Sequence, residues 1–84
     1  MFLHIGNEVA VYIKDVIAVL DMESATIMRD SRDFLKMCEE EGFLYDVAPG
    51  EMPKSVIITE EDGRSFVYVS PIAASTIRKR SKQV

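Results

Sequence analysis

Three apolar runs, VAVYI (Val9–Ile13), VIAVL (Val16–Leu20) and FVYV (Phe66–Val69), have the β-branched and aromatic make-up of strands but no polar alternation. A strand with one wet face alternates apolar and polar residues, so a strand that is apolar throughout needs cover on both faces. Cover is scarce in a chain of 84 residues, which buries only about 60–65% of its unfolded surface. Two helices cover one face of a small sheet. The expected cover for the other is a second copy of the chain, because large apolar patches are rare on soluble monomers. The competing arrangement is a curled sheet that buries both faces within one subunit.

The remaining elements follow from local signals. Phe2–Ile5 reads as a first strand, broken by a turn at Gly6-Asn7. Three strands so close in sequence predict an antiparallel meander over Phe2–Leu20. Ser24 offers an N-cap, and from Ile27 the apolar period becomes helical, with Ile27, Phe34, Leu35 and Cys38 in one sector. The spacing predicts one amphipathic helix over Ala25–Glu41, ended by Gly42 as its C′ residue with Phe43 in contact just beyond. Leu44–Val47 reads as a short strand, and the proline- and glycine-bearing Ala48–Pro53 as the longest loop. Ser55–Thr59 and Ser65–Val69 form a hairpin around Asp62-Gly63. Ser70-Pro71 reads as N-cap and first residue of a closing helix. The expected fold is α+β: a single domain over residues 1–84, with a small antiparallel sheet of five to six strands, one central helix and one C-terminal helix.

Charge is unevenly placed. Net charge is −4, yet residues 71–84 hold Arg78, Lys79, Arg80 and Lys82 and no acid, while all fourteen acids lie earlier. Such asymmetry points to nucleic acid or an acidic partner, or to a solvated tail. The single cysteine excludes an intrachain disulfide and suits a reducing compartment. The N-terminus lacks the pattern of a signal peptide, and no segment approaches the ~18 apolar residues of a membrane span. The expectation is a soluble, cytoplasmic protein, nucleoid-associated where it binds DNA.

Little in the chain suits catalysis. His4 is the only histidine and has no evident orienting partner. Cys38 lies in the apolar helical stripe, where a thiol is a small inert hydrophobe. One Cys and one His do not make a zinc site, Gly42, Gly50 and Gly63 are isolated, and Glu60–Asp62 lacks the spacing of a calcium loop. No enzyme activity, cofactor or metal is expected.

The cations fall into two groups. Arg29, Arg32 and Lys36 lie opposite the apolar face of the first helix and read as a solvated stripe with room for i,i+4 ion pairs. On the closing helix the apolar sector is Ile72, Ala73, Thr76 and Ile77. Arg78 and Lys82 point away from it, with Lys79 on the flank. Arg80 points with the apolar side, where a guanidinium needs a carboxylate or carbonyl inside the fold or across a subunit boundary.

The stretches PKSVIIT (Pro53–Thr59) and YVSPIAASTIRKR (Tyr68–Arg80), with MFLHIGN at the start and KDVIAVLD (Lys14–Asp21), resemble the bacterial extracellular matrix regulatory proteins, the RemA/RemB family, and are closer to the RemB type. The resemblance covers nearly the whole chain. It implies a small α/β subunit and transcription factors that promote biofilm matrix gene expression by binding DNA. For RemA-like members it implies ring-shaped homo-oligomers that engage DNA around the rim. RemA-type proteins carry a paired-arginine run just after a loop glycine. Here Gly50 is followed by Glu51, Met52, Pro53 and Lys54. DNA contact then falls to Lys14, at the break before the third strand, to Lys54, and to Arg78, Lys79 and Lys82, with Arg80 structural or intersubunit.

Phosphate contacts supply most nonspecific DNA affinity, and a ring multiplies weak ones. The leading expectation is an oligomeric duplex-DNA-binding regulator. The alternative is an acidic protein-interaction module that partners a RemA-type paralogue without touching DNA. A third class is single-stranded RNA binding by stacking, for which Tyr12, Tyr45, Phe66 and Tyr68 are the candidate aromatics.

Overall fold

The computed structural model describes residues 1–81; Lys82 lies outside the described residues. Two strands, β1 (Phe2–Gly6) and β2 (Val9–Tyr12), pair antiparallel as a separate hairpin. A 3₁₀ turn over Ile13–Asp15 leads into β3 (Val16–Asp21), followed by α1 (Met22–Ile27) and α2 (Arg29–Glu41). Then come β4 (Leu44–Asp46), β5 (Ser55–Glu61), β6 (Arg64–Ser70) and α3 (Ala74–Ser81). The second sheet has the order β3-β5-β6-β4. The fold is α+β, with a C-terminal helix as expected from the sequence.

The predicted meander does not form. β3 leaves the hairpin and pairs antiparallel with β5, Val19 opposite Ile57. The 3₁₀ turn over Ile13–Asp15 redirects the chain away from β2. Nor is the sheet wholly antiparallel: β4 runs parallel to β6, with Tyr45 beside Tyr68. The chain enters β4 from the end of α2, a crossover that delivers it in the direction of β6.

The expected single helix is two. Met28 is extended (φ −77°, ψ 125°) and breaks it. Thr26 Oγ1 donates to the carbonyls of Met22 (3.0 Å) and Glu23 (3.1 Å). Those hydroxyl bonds compete for carbonyls near the helix end, and such back-bonding weakens and bends a helix. As a result Ile27 (68% exposed) and Met28 (62%) leave the apolar stripe. The start also moves: Asp21, not Ser24, holds the N-cap position, and Met22 N–H donates to the Lys54 carbonyl at 3.0 Å. The end matches expectation. Gly42 is left-handed (φ 81°), its N–H meets the Glu39 carbonyl, and Phe43 N–H meets that of Cys38 at 2.8 Å. This is a Schellman cap with the Phe43–Cys38 contact that accompanies it.

The two faces of β5 belong to different cores. Val56 packs with Ala25, Cys38 and Val67 beneath α1 and α2. Ile57 packs with Leu3, Ile5, Val11, Val47 and Ile77. The β1–β2 hairpin and α3 therefore cover the second face of the sheet. The premise that a second copy must do so is corrected: three layers of one chain suffice, by a folded-over hairpin rather than a curled sheet. Any self-association has to use side chains still exposed.

Candidate nucleic-acid interface

The basic helix is set by two buried serines. Ser70, at the end of β6, donates its hydroxyl to the Ile5 carbonyl at 2.6 Å and accepts Ile72 N–H at 3.0 Å. Ser55, its cross-strand partner, donates to the Ile72 carbonyl at 2.7 Å. Ile72 is thus strapped to the four-stranded sheet before the helix begins, and Ser70 ties that sheet to β1. This shifts the start predicted at Pro71. Ser70 does accept an N–H, but that of Ile72 in a short turn, and Ala73 is the first carbonyl to receive helical N–H groups, from Thr76 and Ile77 at 3.1 Å. α3 buries Ala74 and Ile77. Thr76, expected in the apolar sector, is exposed because of this later start.

Arg78, Lys79 and Arg80 are exposed in the last turn of α3. Cations there favour the helix dipole. Arg78 Nη2 donates to the Val19 carbonyl at 2.6 Å, bracing α3 against the edge strand β3. Arg80 Nη1 donates to the His4 carbonyl at 3.1 Å, bracing it against β1. Each bond uses one of a guanidinium's five N–H donors. Lys79 shares a shallow recess with Ser75, Thr76 and Arg78.

The other two predicted cations stand toward the ends of β3. Lys14 sits in the 3₁₀ turn, five residues before Val19, or about 16 Å away along an extended chain. Its Nζ lies over the Tyr12 ring, 5.5 Å from the centroid. Lys54 is three residues before Ile57, the partner of Val19, or about 10 Å away. Its side chain is exposed, and its backbone is tied to Ser70 and Met22. The structure thus spaces Lys14, Arg78 and Lys54 along one edge of the sheet rather than clustering them. Carboxylates intervene: Asp15, Glu61 and Asp62 line the recess that holds Lys14, and Asp21 stands at the Lys54 end of β3. Only the α3 portion of this edge is free of acids in its own element.

The aromatic candidates separate. Phe66 packs edge-on against Phe43, with centroids 5.7 Å apart. Tyr68 donates its hydroxyl to Glu61 Oε2 at 3.0 Å, and Thr59 donates to the same oxygen at 2.6 Å. Burial first, and then the Glu61 carboxylate, push the Tyr68 phenol up to about 12. Tyr45 and Tyr12 are exposed. Tyr12 stacks on Phe2, an aromatic absent from the candidates named by sequence; their juxtaposition depends on the hairpin register, Phe2 opposite Tyr12. Cys38 is buried under α2, and its thiol is pushed up by burial and then by Glu41. Among the described residues no helix is long and apolar enough to cross a membrane.

The chain is 27% identical to Extracellular matrix regulatory protein B of Bacillus subtilis (strain 168), over 98% of this chain and 91% of that protein. The family model described as Extracellular matrix regulatory protein A-like matches residues 2–80. The chain belongs to the RemA-like family of extracellular matrix regulatory proteins.

Proposed function

We propose that this chain is a cytoplasmic, DNA-binding regulator of extracellular matrix genes that acts as a homo-oligomeric ring through phosphate contacts. The observation that carries the reading is α3: three consecutive cations, the outer two braced against strands, on a helix with no acidic residue. Bracing limits the entropy lost when the cations meet phosphate. A subunit of net charge −4 gains little from one such helix, so affinity comes from several copies acting together. Exposed Ile17, Ile27, Met28 and Met37 supply apolar surface for copies to share. Lys14 and Lys54 extend the contact along the β3 edge, and Lys82 would add to it.

A salt titration of duplex binding by fluorescence anisotropy tests this. Wild-type affinity should fall steeply with salt, and the Lys54→Ala/Lys79→Ala variant should lower the slope by about one for each phosphate no longer neutralised. Among the described residues these two side chains make no hydrogen bond, so unchanged binding and slope would refute their assignment. Arg78→Ala is a poorer probe, because it also frees the Val19 carbonyl.

A second reading, a protein-interaction module that partners a RemA-type paralogue without touching DNA, is favoured by the carboxylates around Lys14 and by Glu51 after Gly50. Co-purification with such a paralogue, in material free of nucleic acid, would support it over direct binding.

A further inference from the structure

We propose that the outer face of the β1–β2 hairpin is a stacking platform for an unpaired base of single-stranded nucleic acid. Phe2 takes the base and Arg80 the adjoining phosphate. Along β1 the side chains alternate: Leu3 and Ile5 are buried, Phe2 and His4 exposed. The register sets Phe2 against Tyr12, and their rings stack with centroids 4.5 Å apart and planes at 29°. Both are large and open, Phe2 58% and Tyr12 47% exposed.

Tyr12 has two neighbours at its ring, Phe2 with centroids 4.5 Å apart and Lys14 Nζ at 5.5 Å from the centroid. Phe2, the more exposed of the two rings, is the one left for a base. Two residues along β1, or about 7 Å, the His4 carbonyl holds the Arg80 guanidinium at 3.1 Å with further donors to spare. One nucleotide spans that separation, with its base on the ring and its phosphate on the fork.

Charge selects this occupant over an apolar protein surface. Neither β1 nor α3 carries an acid, and Lys79 stands beside Arg80. The carboxylates Asp15, Glu61 and Asp62 gather on the Lys14 side of Tyr12, and Glu8 stands in the turn at the other end of the hairpin. Stacking on an aromatic ring accepts any base, so the platform has little sequence preference. Phe2 has no part in the duplex contact proposed for α3 and the β3 edge, and the platform offers a hold on a strand exposed where a duplex opens.

The test is anisotropy with labelled oligothymidylate and oligouridylate of equal length, which compares the DNA and RNA sources, with a duplex measured in parallel. Phe2→Leu keeps apolar bulk against Tyr12 and removes the π face; Phe2→Ala removes both. Phe2 is outside the core, and circular dichroism verifies each fold. Both variants should lose about fivefold to a hundredfold in single-strand affinity while duplex binding holds. Arg80→Ala should weaken single-strand binding and its salt dependence. The proposal is overturned if the wild type binds neither oligonucleotide, or if Phe2→Leu binds as the wild type does. It is also overturned if light scattering shows that the variants lose self-association, which would make a second copy the occupant. Weaker duplex binding in Lys54→Ala with single-strand binding intact separates this site from the β3 edge.

Discussion

Ser70→Ala should unfold this protein far more readily than removal of one oxygen suggests. The hydroxyl is fully buried and serves two backbone groups, the Ile5 carbonyl and Ile72 N–H. Ile5 sits where the β1–β2 register shifts, between His4 and Gly6, and its residue has no ladder partner. A bulge leaves such a residue unpaired, and Ser70 takes up its carbonyl. Each buried group stranded without a partner costs about 1–3 kcal/mol, so the pair should cost about 3 kcal/mol. A domain of this size holds only about 4–13 kcal/mol in total. With a urea m-value of about 1.5 kcal/mol/M, the midpoint should fall by about 2 M. Wild type and variants are compared at one protein concentration, because association adds a concentration-dependent term to stability. Ser65→Ala, an exposed change on the same strand, is the control and should stay within about 0.5 kcal/mol. A Ser70→Ala midpoint as close to wild type as the control's would refute the reasoning, since it would mean that the two backbone groups find other partners.

Gly6→Ala should destabilise by about 1–3 kcal/mol in calorimetry. Gly6 has φ +114°, and a Cβ there would stand 3.3 Å from Pro71 Cδ and 3.5 Å from Val47 Cγ1. A wild-type melting temperature would contradict this. In an ultraviolet titration of phenolate, one tyrosine should titrate near 12, and Glu61→Gln should bring it down. The folded state holds this proton more tightly than the unfolded chain does, so its contribution is complete below the ordinary value of about 10 and is lost as pH rises through 12. Three ordinary tyrosines would refute it.

How far the sequence could be read depended on the range of each interaction. Gly42 and Asp62-Gly63 were legible because a left-handed residue closing a helix, or two in a tight turn (φ 52° and 79°), is required by backbone sterics within a few residues. The break at Met28 was not, because the apolar period continued through it and the Thr26 hydroxyl bonds leave no trace in hydropathy. The candidate cations could be named from the sequence, but not their disposition. Arg78 meets a carbonyl 59 residues away and Arg80 one 76 residues away. The Phe2–Tyr12 stack likewise needed the register of the hairpin.

Neighbours along the chain set the strand-forming runs, the two glycine-set reversals, the uncompensated basic end and the family resemblance. Long-range packing set the rest: β3 joins β5, β4 runs parallel to β6, and the hairpin and α3 cover the sheet's second face. Apolar burial is non-directional. A strand that is apolar on both sides can be covered by any apolar surface, and which surface reaches it first is settled by the three-dimensional course of the chain.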